Sequence, residues 1–130
     1  MAATYKLALP LLAGIIMGAM GPEALDAQTN TPPAYLIAEI QVNNADAFKE
    51  YASQAPAIIA SFGGRYLVAG GKTEVIEGAP PAGRVVVIEF PSLEKALQYE
   101  NSPAYLKIRP IRRTNATSRL FIVEGKAPTK

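Results

Sequence analysis

The 130-residue chain contains neither cysteine nor histidine. Lacking cysteine, it can form no disulfide even in an oxidising compartment, hold no metal through thiolates and use no thiol nucleophile. Lacking histidine, it has no imidazole base, no Ser-His-Asp triad and no histidine-ligated zinc or haem. A dominant charge is missing too: 13 basic and 11 acidic residues leave +2, which singles out no charged partner. The pairs Gly63-Gly64 and Gly70-Gly71 lack the lysine, the helix start and the spacing of a phosphate loop or dinucleotide fingerprint. No nucleophile elbow or metal-ligand spacing occurs either. The chemistry is expected to fall to polar groups set on otherwise apolar surfaces, carboxylates, tyrosines and arginines among them, and no metal or other cofactor is expected.

What is present starts with a targeting pattern. Lys6 precedes an apolar stretch over residues 7–20, too short for a comfortable bilayer span, and Gly21-Pro22 follows it. This predicts a secretory signal peptide over residues 1–27, cleaved after Ala27, and hence a periplasmic or secreted protein without membrane attachment after cleavage. Residues 28–33 then read as a flexible leader, 34–125 as a single domain and 126–130 as a tail. Cleavage removes Lys6, Glu23 and Asp26, leaving 12 basic and 9 acidic groups, a net +3. The roughly one hundred residues that remain suffice for one core and not for two.

From Ala34 the apolar pattern alternates, with Leu36, Ala38, Ile40 and Val42 on one face and Tyr35, Ile37, Glu39 and Gln41 on the other, which predicts a first strand. Asn43-Asn44 supplies a helix cap, and Phe48, Tyr51, Ala52, Ala55, Ile59 and Phe62 recur at helical spacing. Pro56 is expected to kink this helix without ending it. Gly63-Gly64 stops it in a left-handed cap. A second strand is expected over residues 65–76, bent at Gly70-Gly71, with a turn over 78–83 and a third strand over Arg84 to Phe90. Pro91-Ser92 opens a second helix with Leu93, Ala96 and Leu97 toward the core. Ser102-Pro103 opens a further helix to about Arg113, and residues 118–124 form the last strand.

The order β-α-β-β-α-β, with the second helical region broken in two, predicts an α+β ferredoxin-like domain: a four-stranded antiparallel sheet with helices on one face. The other face should be polar in a monomer. Instead Val85, Val86, Val87 and Ile88 are apolar on both parities, and Tyr35 and Ile37 lie opposite Leu36. Both faces are thus expected to be covered, the second by another copy, giving a homodimer whose sheets form a shared α/β barrel.

Ala34-Tyr35-Leu36-Ile37-Ala38, Tyr51, Gly63-Gly64-Arg65-Tyr66-Leu67, Gly70-Gly71, Glu77-Gly78, Arg84, Val86-Val87-Ile88-Glu89-Phe90-Pro91-Ser92, Ser102-Pro103-Ala104-Tyr105 and Arg112 together resemble the domain of unknown function 1330 family. The resemblance covers about Ala34 to Gly125. It implies the architecture of the dimeric α/β-barrel group, which includes cofactor-independent monooxygenases, muconolactone isomerases and haem-dependent dismutases. The missing histidine sets this chain apart from the haem-dependent members.

Glu39 and Glu89 share a parity on strands that are neighbours in this topology, so they are candidate catalytic groups: two carboxylates in one partly apolar chamber could serve as acid and base. The alternative is that each ends a strand and pairs with an arginine such as Arg65, Arg84 or Arg119. Tyr35, Tyr66, Arg84, Tyr105 and Arg112 are candidate ligand-binding residues, with Tyr99 a further hydroxyl. Tyrosines in such positions also serve as core or interface aromatics. Arg109, Arg112 and Arg113, with Lys107 and Arg119 nearby, form the basic cluster, which a solvated helix face explains equally well. The third strand lacks the aromatic, glycine-rich motif of RNA-binding modules, so no nucleic-acid partner is expected. Three readings stand: a barrel domain that binds a small apolar or aromatic organic molecule, in a pocket between sheet and helices or inside the dimer; a cofactor-independent isomerase or monooxygenase using Glu89, Tyr66 or Arg112; and a structural or regulatory dimer.

Overall fold

Alternating apolar side chains commit residues Ala34–Val42 to a strand, β1, in which Ala34, Leu36, Ala38 and Ile40 are buried on one face. This is seen in a computed structural model of the chain, which describes residues 30–129. The expected signal peptide, and residues 28–29 of the leader, lie outside the described residues. β1 is followed by helix α1 (Ala45–Ser61), strands β2 (Arg65–Ala69) and β3 (Arg84–Phe90), helices α2 (Leu93–Glu100) and α3 (Pro103–Asn115), and strand β4 (Ala116–Glu124), all within a compact unit spanning Pro32–Lys126. The strands form one antiparallel sheet in the order β2-β3-β1-β4, the split arrangement of ferredoxin-like folds.

Local chemistry sets each helix boundary. The Asn44 side chain accepts a hydrogen bond from the Ala47 N–H at 3.1 Å, and Phe48, Tyr51, Ala55 and Ile59 place one stripe of α1 on the sheet. Gly63, with φ of +79°, closes α1: its N–H bonds the Ala60 carbonyl and the Gly64 N–H reaches back to Ile59. This is a Schellman cap, and a side chain at position 63 would meet Pro91. Pro56 lies inside α1, which continues to Ser61. Ser92 caps α2 and Ser102 caps α3, with Pro103 at the first helical position, where its missing N–H costs nothing.

Three boundaries differ from the sequence expectation. β2 ends at Ala69, not Ile76: Gly70 turns away with φ of +75° after one hydrogen bond to the Val85 carbonyl, and residues 71–83 join no strand. The irregularity within β2 sits between Tyr66 and Val68, where Leu67 is the extra residue of a bulge, so no glycine is involved. α3 also runs on to Asn115, so that β4 begins at Ala116. In α2, Ala96 and Tyr99 are buried while Leu97 is 46% exposed. A helix this short buries one narrow stripe, and the large Tyr99 side chain fills it.

The core between helices and sheet is built around a chain of rings. Phe90 packs on Tyr99, Tyr99 on Tyr105 at a centroid separation of 4.5 Å, Tyr105 on Tyr51, and Tyr51 on Phe48. The helix-free face carries the other parity: Tyr35, Ile37, Val85 and Val87 are half-buried, and Val68, Phe121 and Val123 are exposed. Two ion pairs border it, Arg65 with Glu89 and Arg119 with Glu39, each at 2.8 Å.

Candidate functional site

The site begins with Ser102. Its hydroxyl donates to the Tyr99 carbonyl at 2.8 Å and accepts from the Tyr105 N–H at 3.2 Å, which ties the end of α2 to the start of α3 and fixes Tyr105 in the interior. Tyr105, Ile108 and Arg112 follow at helical spacing on the buried side of α3. Side chains on a helix lean toward its N-terminus, so Arg112 reaches back two turns and its Nε donates to the Tyr105 hydroxyl at 3.3 Å. On the facing helix Tyr51 brings its own hydroxyl to 3.0 Å from that of Tyr105, and the Arg112 guanidinium lies 5.9 Å from the Tyr51 ring centre. Arg112 is only 5% exposed, and among the described residues no carboxylate pairs with it.

Beside this trio is a cavity of about 250 Å³ between α1 and the sheet. Leu36, Ala38 and Ile40 of β1, Val86 and Ile88 of β3, and Phe48, Ala52, Ala55, Pro56 and Ile59 of α1 supply an apolar lining. Tyr51, Tyr99 and Tyr105 close one side, while Tyr66, Ala69 and Arg84 line another. An apolar cavity of about 150 Å³ accommodates benzene, so this one has room for a bicyclic molecule. The combination of an apolar wall with a few convergent polar groups is that of a small-molecule site.

Electrostatics favour the neutral form of Tyr51, Tyr66 and Tyr99. Burial pushes the Tyr51 and Tyr99 hydroxyls well above the usual tyrosine range, with neighbouring phenols adding to it. Burial also raises Tyr66, against the pull of the Arg84 charge. Arg112 responds differently: burial disfavours its charge, but the Tyr105 and Tyr51 hydroxyls more than offset this, and its pKa is raised. The trio thus joins a fixed cation to two hydroxyls, and the Tyr51 hydroxyl, held neutral by burial, is able to donate in hydrogen bonds. Glu100, at the end of α2, is raised by burial and held back by Arg112, Arg109 and Arg113; its Oε2 is buried with no hydrogen-bond partner among the described residues.

The residues expected from sequence separate into two groups. Tyr66, Arg84 and Tyr105 line the cavity, and Arg112 stands behind Tyr105. Tyr35 lies on the helix-free face, opposite Glu89 and Val123. Glu39 and Glu89 are on that face too, but the register does not bring them together within one chain: Glu89 lies opposite Tyr35 and Glu39 opposite Val85. Four residues of strand, about 13 Å, separate them. Each carboxylate bonds an arginine instead, and Glu39 also accepts from the Ala82 N–H, which with Arg119 holds its carboxyl below the usual range. The basic cluster divides as well, since Arg112 is buried while Arg113 is exposed. Tyr51 was not among the expected site residues: in the apolar stripe of α1 it reads as core, and only the facing hydroxyl of Tyr105 reveals its second role. Among the described residues there is no group of three or more acidic side chains that could hold a metal ion, and no helix is long and apolar enough to cross a membrane.

Comparison with solved structures finds the same fold elsewhere. A protein of unknown function from Rhodopseudomonas palustris superposes with a TM-score of 0.58 at 19% identity, covering 81% of this chain and 94% of that one. SnoaB, a cofactor-independent oxygenase from Streptomyces nogalater, superposes with a TM-score of 0.50 at 12% identity, covering 75% and 97%. At these identities the likeness is one of fold. A search of the curated proteins finds no match. Residues 33–126 match the profile of the family described as domain of unknown function (DUF1330), and the chain belongs to that family.

Proposed function

We propose that this protein binds a small, largely apolar organic molecule in the cavity between α1 and the sheet. The observation that carries the reading is the cavity itself, about 250 Å³ with an almost wholly aliphatic and aromatic lining into which a few tyrosines and Arg84 are set. Tyr66, Arg84, Tyr105 and Arg112 serve the ligand in this reading, with Tyr51 added to them; Tyr35 belongs to a protein interface. Calorimetric titration with 2-methylnaphthalene tests it. One molecule binds per chain, and Ala52→Phe, whose new ring enters the cavity from the exposed side of α1, abolishes binding while leaving the thermal transition near that of the wild type. Absence of binding to the wild type would overturn the reading.

The proposal includes a homodimer and export. An open sheet face carrying Val68, Phe121 and Val123, with Tyr35, Ile37, Val85 and Val87 between them, supports pairing with a second copy. Export to the periplasm or medium, with cleavage after Ala27, rests on the apolar stretch and its flanks. N-terminal sequencing of the protein from its native host should begin at Gln28; a start at Met1 would refute export by cleavage.

A second reading, cofactor-independent catalysis, is favoured by the convergence of the Tyr51 and Tyr105 hydroxyls on one buried cation. It predicts turnover of an aromatic or lactone substrate that falls at least tenfold in Tyr105→Phe.

A further inference from the structure

Counting protons in the buried trio leaves one without an acceptor. Each phenol carries one, and a single proton suffices for the 3.0 Å contact between the Tyr51 and Tyr105 oxygens. Arg112 only donates, and its Nε already supplies the Tyr105 oxygen. Among the described residues neither phenol donates to any group outside the trio. One O–H is therefore left over, on rings that line the cavity, and the guanidinium behind it is 5% exposed with no carboxylate bonded to it. Leaving a buried donor unused costs about 1–3 kcal/mol, which a ligand acceptor would recover.

The geometry points to a cavity that recognises a phenol or enol of about bicyclic size and holds it as its anion, the oxygen accepting the surplus Tyr51/Tyr105 proton in front of Arg112. This rests on the cavity being a ligand site and adds the chemistry of the ligand. On binding, the ligand's O–H bond breaks, its proton passes to the buffer and the electron pair stays on the oxygen. The charges facing the site bear on this in opposite senses. Arg112 favours the anion, as does Arg84 at the cavity wall beside Tyr66; the Glu100 carboxylate, close to Arg112 but not bonded to it, opposes. Tyr66 and Tyr99 stay neutral and add no charge.

The test compares 2-naphthol with its isostere 2-methylnaphthalene, reading the naphtholate absorption of the bound probe as pH is varied. A cation with aligned donors lowers a bound phenol's pKa, whereas a dry cavity raises it by desolvation. We expect the bound 2-naphthol pKa to fall by about one unit relative to free probe, and to fall further in Glu100→Gln. In the double variant Tyr51→Phe, Tyr105→Phe the fall should disappear. A bound pKa equal to or above the free value, with 2-methylnaphthalene bound, overturns the inference and leaves the cavity reading standing. Failure of both probes to bind overturns both. The sign of the shift in the unaltered protein decides the matter even if a variant does not fold.

Discussion

Gly83 has the most demanding position in the backbone. With φ of +87° it leads into β3 where a Cβ would run into the Ile40 carbonyl, so backbone strain and a steric clash both oppose any other residue. Gly83→Ala should cost on the order of 3 kcal/mol, seen as a lowered urea midpoint with an unchanged slope; a change within the scatter of surface variants would contradict it. Glu100 yields a pH dependence with a definite sign. Its folded pKa is raised above the unfolded value, so between the two the native state holds more protons and stability falls as pH rises. Glu100→Gln removes that burden. The variant should melt higher than wild type at pH 7, and the gap should close as pH drops below the ordinary glutamate range, where both side chains are neutral. A gap that widens on acidification would show the arginines to dominate over burial.

At the scale of elements, the join between α2 and α3 carries the site. Ser102→Ala loses an N-cap and a buried hydrogen bond to Tyr99, a cost of about 1–2 kcal/mol in thermal or denaturant unfolding. It should also weaken probe binding, because Tyr105 is held through the same hydroxyl. Most elements were legible because their signals are local: alternation in β1, serine or asparagine caps before the three helices, a glycine with positive φ after α1. The length of β2 was not. Val75 and Ile76 look like a continuing strand, but they are 50% and 92% exposed because no neighbouring strand extends to meet them, a fact about β3 and not about their own residues. The site was half legible for a related reason. Polar side chains in apolar surroundings pointed to Tyr105 and Arg112, whereas the Glu39 and Glu89 pairing depended on register, and parity alone is satisfied equally by carboxylates side by side or four residues apart.

For the whole molecule, the two sides of the sheet have different tasks. One side buries the core and lines the cavity; the other presents a band of half-buried and exposed apolar residues between the Arg65–Glu89 and Arg119–Glu39 pairs. Exposed ion pairs of this kind add little stability, about 0–1 kcal/mol each, so pairing of two copies must draw on the apolar band. Phe121→Asp, on the edge strand β4 of that band and opposite Ile37, should convert the proposed dimer to a monomer in light scattering at micromolar concentration while leaving the cavity able to bind its probe. A wild type that is already monomeric would contradict the pairing. Occupation of the cavity between α1 and the sheet can be seen in a crystal structure of the protein with 2-bromonaphthalene, the bromine located by its anomalous signal. One peak per chain is expected within the space bounded by Leu36, Ala55, Val86 and Tyr105. A peak confined to the helix-free face, or none at a concentration where calorimetry reports saturation, would contradict it.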